Sequence, residues 1–150
     1  MQAFKKWFGD WELTANIING INALKELSNG VGRVDNAMRR SELKDLGGTA
    51  EIAFEWGGGE GIPDKQGYIR KGYGFAKIIQ KHGADDAIRI IGTIANGKMG
   101  EPYGVEGGQR VDIISGEYQT TISLYKNGEK GSWVLTGYKI DYNTDAKGRG

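Results

Sequence analysis

The only histidine of the chain, His82, follows an apolar stripe in the segment GYGFAKIIQKHG, residues 72–83. On an ideal helix His82 lies about 40° from Ile78 and about 60° from Ile79, so it continues the stripe and packing alone could account for it. Gly83 is typical of the position after a helix, which places the imidazole by the negative end of the helix dipole and favours its protonated form. A histidine in that position can act as a general acid near neutral pH, so packing and acid catalysis both stay open.

Two lysines and an arginine offer positive charge in this segment and on a later strand. Lys77 and Lys81 share a helix face, which is typical of a solvated basic edge and also suits a clamp on phosphate. Lys77 and His82 lie about 140° apart on an ideal helix, so they converge on one substrate only if the helix ends or tightens before His82. Arg110 opens the segment RVDIIS, where a guanidinium either meets a phosphate or marks a polar strand end.

A row of hydroxyl groups is predicted in the segment SWVLTGYKI. Strict alternation along a strand places four side chains on one face: Ser132, Val134, Thr136 and Tyr138. Such a row can hydrogen-bond phosphate oxygens or a ribose hydroxyl, although threonine and tyrosine are also common in strands that have no other task.

Apolar periodicity and turn residues predict the elements that position these side chains. Helices are predicted over residues 13–27, 35–46, 75–83 and 84–97. TAEIAFEW alternates apolar and polar residues as a half-buried strand does, and the flexible loop GGGEGIPDKQG follows it. RVDIIS, YQTTISLY and SWVLTGYKI, joined by the hairpin signals SGE and KNGEKG, predict three antiparallel strands.

This order of elements predicts an α+β fold, with N-terminal helices packed on one face of an antiparallel sheet that ends in a three-stranded meander. We expect residues 1–46 to form an N-terminal helical segment, 47–140 the main domain, and 141–150 a polar tail or linker. The other face of the sheet is then partly open. An open face with polar and aromatic residues suits a single-stranded nucleic acid.

Composition narrows the classes of function. The 20 lysines and arginines balance 19 aspartates and glutamates, so no global field draws the protein to nucleic acid or membranes, and any basic site must be local. No apolar run approaches the length of a membrane span. Without cysteine and with one histidine, a zinc site would need mostly carboxylates, so we expect no metal and no other cofactor.

The succession IAFEWG, GYGFAKIIQKHG and RVDIIS…YQTTISLYKNGEKGSWVLTGYKI resembles the phage-associated barnase/EndoU/colicin/RelE-like (BECR) nuclease domains. The resemblance covers about residues 50–140 in order, and WVLTGY is its most specific part. FKKWFGDW looks like a segment that precedes effector domains in large modular phage and mobile-element proteins, although an aromatic-rich amphipathic helix start fits the same letters. These features indicate a module of a larger protein.

The resemblance implies a BECR-like fold and a metal-independent endoribonuclease of a phage or toxin effector, which cleaves RNA by 2′-hydroxyl attack on the adjacent phosphate. His82 falls on the second histidine of the family pattern and Thr136 on the threonine of its last strand. Lys77 falls on the first histidine, and this is a departure, because a lysine keeps a cationic donor but is a poor base at neutral pH.

The expected catalytic residues are therefore Lys77, His82 and Thr136. The expected substrate-binding residues are Arg110, Lys81, Ser132 and Tyr138. Implied partners are RNA, with tRNA among the candidates, and an immunity or antitoxin protein, in the cytoplasm of a bacterial or phage-infected cell. The alternatives are a catalytically weak RNA- or protein-binding module on the same fold and, third, a structural domain of a phage protein.

Overall fold

One mixed sheet of six strands forms the centre of a computed structural model, which describes residues 2–58 and 72–140, with side chains from residue 13 onward. The strands are β1 (Arg33–Arg39), β2 (Glu51–Glu55), β3 (Lys98–Met99), β4 (Arg110–Ser115), β5 (Tyr118–Lys126) and β6 (Glu129–Lys139). Their order in the sheet is β1-β2-β6-β5-β4-β3. The predicted α+β class and the meander β4-β5-β6 are confirmed, whereas the parallel pairing of β2 with β6 departs from the all-antiparallel prediction.

Three helices accompany the sheet in the described ranges: α1 (Gln2–Ser28), α2 (Glu42–Asp45) and α3 (Gly74–Asn96). The helix predicted over 13–27 is confirmed within α1, and its residues Ala23, Leu24 and Leu27 are buried in the core. Gly20 lets α1 approach its neighbours, because a Cβ there would lie 2.7 Å from Ile91 of α3 and 2.8 Å from the sulfur of Met38. Gly20 therefore belongs to the packing of the helix.

The second predicted helix, over residues 35–46, is wrong. Its first half is the strand β1, which pairs with β2 and buries Ala37 and Met38, and only the single turn α2 is helical. A bulge between Val34 and Met38, with Asn36 at φ 55°, interrupts the pairing. Strand pairing here overrides the local helical pattern. The first 46 residues thus contribute a strand to the common sheet in addition to a helix.

The two helices predicted over 75–83 and 84–97 are confirmed as the halves of α3, which meet at a kink where Gly83 has φ 86° and ψ 169°. The first half buries Phe75 and Ile78, and the second buries a longer apolar stripe that includes Ile90. Gly137 of β6 lies beneath that stripe, since a Cβ on Gly137 would be 2.7 Å from Cδ1 of Ile90.

The side chain of Arg40 caps the C-terminus of α3. Its Nη1 donates hydrogen bonds to the carbonyl oxygens of Ile94 at 2.9 Å and Gly97 at 3.0 Å, and its Nη2 donates to Glu42 at 2.7 Å. These carbonyls have no partner further along the helix, and the guanidinium also opposes the negative end of the helix dipole. The hydrogen bond from Arg40 lowers the pKa of Glu42.

The predicted glycine-rich loop and the predicted C-terminal tail lie mostly beyond the described ranges. The loop GGGEGIPDKQG begins with Gly57 and Gly58, and Gly58 exchanges two backbone hydrogen bonds with Tyr73, at 3.1 and 3.0 Å. The rest of that loop and the tail 141–150 lie outside the described residues. Within the described ranges, no helix is long and apolar enough to cross a membrane.

Candidate nucleic-acid interface

The sheet has two distinct faces, and we call the one turned away from α1 and α3 the far face. Ile52, Phe54, Ile122 and Val134 lie on the helix side, within the core. Because side chains alternate along a strand, the residues between them point to the far face. Cross-strand pairing groups the far-face residues into rows, of which one contains Arg110, Ser123, Trp133 and Ala53.

A bulge in β6 decides where the predicted hydroxyl row lies. Thr121 pairs with Thr136, but the next residue of β5, Ile122, pairs with Val134, so Leu135 is the extra residue. The bulge breaks the alternation, which puts Ser132 and Val134 on the helix side and Thr136 on the far face. The prediction that Ser132, Thr136 and Tyr138 share a face is therefore wrong for Ser132.

Ser132 ties β6 to the segment before β2. Its hydroxyl donates to the carbonyl oxygen of Thr49 at 2.7 Å and accepts from the Thr49 backbone N–H at 2.9 Å, while its own N–H donates to the Thr49 hydroxyl. Its exposed fraction is only 2%. These bonds occupy the hydroxyl on the side away from the far face, so Ser132 is removed from the candidate substrate-binding set.

A carboxylate held by two cations lies at the end of β2 on the far face. Glu55 is 9% exposed, and its carboxylate is 2.9 Å from Nη1 of Arg33 and 3.1 Å from Nζ of Lys126. The same Nζ lies 4.5 Å from the ring centroid of Trp133, whose edge contact with Tyr73 has a centroid distance of 6.0 Å. We call these five residues the Glu55 cluster.

Sequence reasoning missed the Glu55 cluster. The alternation in IAFEW placed Glu55 on the polar side of a strand, but its partners lie 22 and 71 residues away in the chain. The available signal was the aromatic residues Tyr73 in GYGFAKI and Trp133 in SWVLTGY, since a cation beside an aromatic ring is favoured. That signal does not show which glutamate the cation meets.

A second set of hydrogen-bonded polar side chains lies on the far face, toward the β3 and β4 edge of the sheet. Oδ1 of Asp112 accepts hydrogen bonds from the Tyr103 hydroxyl at 2.9 Å and from the Thr121 hydroxyl at 2.8 Å. Burial, and then the bond to Asp112, raises the pKa of Tyr103, so its hydroxyl stays a donor well above neutral pH. Arg110 precedes Asp112 by two residues on the same strand, so its exposed guanidinium shares this face.

Three predicted site residues, Arg110, Thr136 and Tyr138, are brought to the far face. Thr136 pairs with Thr121 on one side, and on its other side lies β2, the strand that ends with Glu55. Tyr138 pairs with Gln119 in the next row and is half-buried. Thr136 and Tyr138, both half-buried, thus lie on the face that also carries the Glu55 cluster and the group around Asp112.

The predicted residues on α3 lie on the element that packs against the opposite face. Lys77 is half-buried, while Lys81 and His82 are exposed. The helix keeps regular geometry up to Gly83, so Lys77 and His82 keep their wide angular separation. Packing as the reason for His82 is wrong because the side chain is exposed, and its catalytic role stays a prediction.

Among the described residues, no three histidine, cysteine, aspartate or glutamate side chains are placed to share a metal ion. Comparison of the chain with family models, curated proteins and solved structures finds no match. The resemblance to BECR nucleases therefore stays an expectation. Inferences about function rest on the far face itself.

Proposed function

We propose that the protein binds single-stranded RNA on the far face and cleaves it without a metal, by attack of a ribose 2′-hydroxyl on the adjacent phosphate. The observation that supports this most is the Glu55 cluster, in which one carboxylate and two cations stand beside the strand that carries Thr136. This reaction requires a base, an acid and donors for the charge on the phosphate. The cluster supplies candidates for the base and the donors.

Glu55 is the candidate base. It takes the proton of the 2′-hydroxyl while O2′ forms a bond to phosphorus. The bond from phosphorus to O5′ then breaks, and O5′ receives a proton from the acid, which leaves a 2′,3′-cyclic phosphate and a free 5′-hydroxyl. The role that a lysine at position 77 performs poorly is thus assigned to a carboxylate on another element.

Arg33 and Lys126 are the candidate phosphate ligands. In the free protein both cations contact Glu55, at 2.9 and 3.1 Å. A phosphate that enters beside the cluster can take both cations as ligands, which leaves the Glu55 carboxylate available to the 2′-hydroxyl. The same two cations then face the charge that develops on the phosphate oxygens.

The remaining far-face groups suit the flanking nucleotides. Arg110 can form paired hydrogen bonds with a phosphate, and Thr136 and Tyr138 can donate to phosphate or ribose oxygens. Adjacent strands lie about 4.8 Å apart, so the row from β2 to β4 spans the length of roughly two nucleotides. Lys77, Lys81 and His82, to which the resemblance gives catalytic and substrate-binding roles, lie on α3 against the opposite face. His82 is therefore the acid for O5′ only if the bound RNA also reaches α3.

Binding of RNA with little or no cleavage is the second candidate function. It is favoured by the position of His82, which lies on α3 and forms no hydrogen bond or ion pair with any described residue. If α3 brings no acid to the far face, the Glu55 cluster and Arg110 bind the RNA backbone without completing the reaction.

One experiment separates the two functions. Purified protein is incubated with total RNA and with tRNA in EDTA, cleavage ends are mapped, and binding is measured in parallel. Glu55→Gln is compared with Glu51→Gln, which removes the same charge from an exposed position on the same strand. We expect 2′,3′-cyclic phosphate ends with the native protein and Glu51→Gln, and none with Glu55→Gln.

Three other outcomes have definite meanings. Binding without cleavage by the native protein supports the second function. Cleavage that EDTA abolishes and magnesium restores contradicts the metal-independent mechanism. Failure to bind any RNA contradicts both functions.

A further inference from the structure

An open groove of about 460 Å³ lies at the β3 and β4 edge of the sheet, away from the Glu55 cluster. It is lined by Lys98, Met99, Gly100, Glu101, Asp112 and Ile114. Pairing of Lys98 with Ile114 places both side chains on the far face, in line with Asp112. The groove therefore continues the surface on which we place RNA, and its volume is in the range of small-ligand sites.

The carboxylate of Asp112 is oriented by two hydroxyl groups. Oδ1 accepts from Tyr103 at 2.9 Å and from Thr121 at 2.8 Å, which uses both of its lone pairs. Oδ2 accepts no hydrogen bond from any residue that the structure describes. One carboxylate oxygen in a fixed orientation is thus left as an acceptor beside the groove.

The groove also has an apolar wall and a cation. Ile114 is a large apolar side chain with 43% of its surface exposed, and it forms this wall. Met99 pairs with the core residue Ile113, so its side chain packs on the helix side instead. A flat ring can pack on such a wall, while the Lys98 ammonium suits the phosphate attached to that nucleotide. The exposed Glu101 carboxylate also lines the groove, but only the Asp112 oxygen is held in place by hydrogen bonds. An apolar wall, one fixed acceptor and one cation together match the parts of a nucleotide.

We propose that this groove is a base subsite for an RNA nucleobase with an exocyclic amino group, cytosine or adenine, which donates to Oδ2 of Asp112. Guanine is disfavoured because its N1 and N2 donors pair best with two carboxylate oxygens, and Oδ1 is already occupied. Uracil is disfavoured because its one base-pairing donor, N3–H, lies between two carbonyl oxygens, and these repel the Asp112 carboxylate when N3–H approaches Oδ2. The inference rests on the proposed function and adds a base preference to it.

The test measures dissociation constants of labelled hexanucleotides of cytidine, adenosine and uridine in EDTA, with full-length Glu55→Gln protein so that cleavage does not interfere. We expect the cytidine or adenosine oligomer to bind about tenfold more tightly than the uridine oligomer, as one good hydrogen bond implies. Comparison of cytidine with adenosine shows which of the two bases fits the groove.

Asp112→Asn in the same background gives the sharpest readout. The asparagine carbonyl oxygen stays with the Tyr103 and Thr121 hydroxyls, so the amide NH₂ turns into the groove and offers a donor in place of an acceptor. Preference should then shift toward uridine. Glu117→Gln, which removes the same charge from an exposed position in the β4–β5 turn, should keep the native preference.

Ile114→Ala provides a second variant, because an exposed position tolerates this change and the loss of the wall should reduce the cytidine and adenosine affinities toward that of uridine. Equal affinities for all three oligomers, or an unchanged preference in both Asp112→Asn and Ile114→Ala, would overturn the subsite while the proposed function stands. Absence of binding to every oligomer would overturn the proposed function as well.

Discussion

Nζ of Lys126 stands between Glu55, 3.1 Å from its carboxylate, and the face of Trp133, 4.5 Å from the ring centroid. The ammonium is thereby fixed by a carboxylate and an aromatic ring that come from different strands. A phosphate that enters the far face meets this cation already in position, with little side-chain entropy left to lose.

Replacement of Lys126 by methionine should therefore impair RNA cleavage more than it impairs folding. We expect kcat/KM to fall by about 100-fold, as for the loss of one charged donor to the transition state. Lys130→Met, at an exposed position in the same hairpin, is the matched control and should retain near-native kcat/KM. Equal losses in both variants, measured on a defined oligonucleotide in EDTA, would show that the position of Lys126 is unimportant.

His82→Ala should leave the stability of the fold unchanged, because the side chain is exposed. If His82 is the acid, the same change should relieve the growth defect that we expect when the native protein is expressed in a bacterial host. Arg89→Ala, exposed on the second half of α3, serves as the control and should stay toxic. Melting temperature and host growth are the two measurements, and toxicity of His82→Ala equal to the native protein would remove His82 from the mechanism.

Arg40→Ala should destabilise the protein by about 1–3 kcal/mol, because the carbonyl oxygens at the end of α3 lose their donor. Arg40→Lys should recover part of that loss through its charge alone. Arg39→Ala is the neighbouring control, since the ion pair of Arg39 with Glu51 is exposed and contributes little. Urea unfolding gives the free energy of unfolding of the three variants. Similar losses of stability in Arg39→Ala and Arg40→Ala would contradict the capping role of Arg40.

The Arg40 and Glu42 pair predicts a small dependence of stability on pH. The pKa of Glu42 is lowered in the fold from its ordinary value of 4.5. The ionised carboxylate therefore adds its full stabilisation to the fold above pH 4.5, and this stabilisation is lost as the pH falls through the lowered pKa. The side chain of Glu42 is 55% exposed, which limits the effect to about 0.5 kcal/mol. The free energy of unfolding of Glu42→Gln, measured with urea, should equal that of the native protein in acid and be lower than it at neutral pH.

Gly137→Ala should cost about 1–3 kcal/mol through overpacking, because the new Cβ lies 2.7 Å from Cδ1 of Ile90. Ile90→Val removes that methyl group, so the double variant should lose less than the sum of the two single losses. Gly131→Ala, whose Cβ would be 4.0 Å from its nearest neighbour, is the control. Additive losses in thermal unfolding would mean that α3 and β6 are not in close contact there.

Local patterns predicted the elements that local forces determine. The meander follows from β-branched strands separated by hairpin residues, and α3 follows from its apolar period and the glycine at its kink. RVDNAMR became β1 because its partner β2 offers an edge, which no pattern within seven residues can show.

The candidate site was less predictable than the fold. The bulge at Leu135 changes the face of Ser132, and bulges depend on how two strands fit each other. The ion pairs of Glu55 with Arg33 and Lys126 join distant parts of the chain, so no local sequence pattern predicts them.

The position of β6 between β2 and β5 has a consequence for the order of events in folding. β6 follows the other five strands in the sequence yet occupies an interior place in the sheet, so β2 obtains its second neighbour only after β6 has been synthesised. Their bond network through Thr49 and Ser132 closes a loop across 83 positions of sequence. Pairing between strands so distant in sequence slows folding. Until β6 pairs with β2, the free edge of β2 can pair with other strands and promote aggregation.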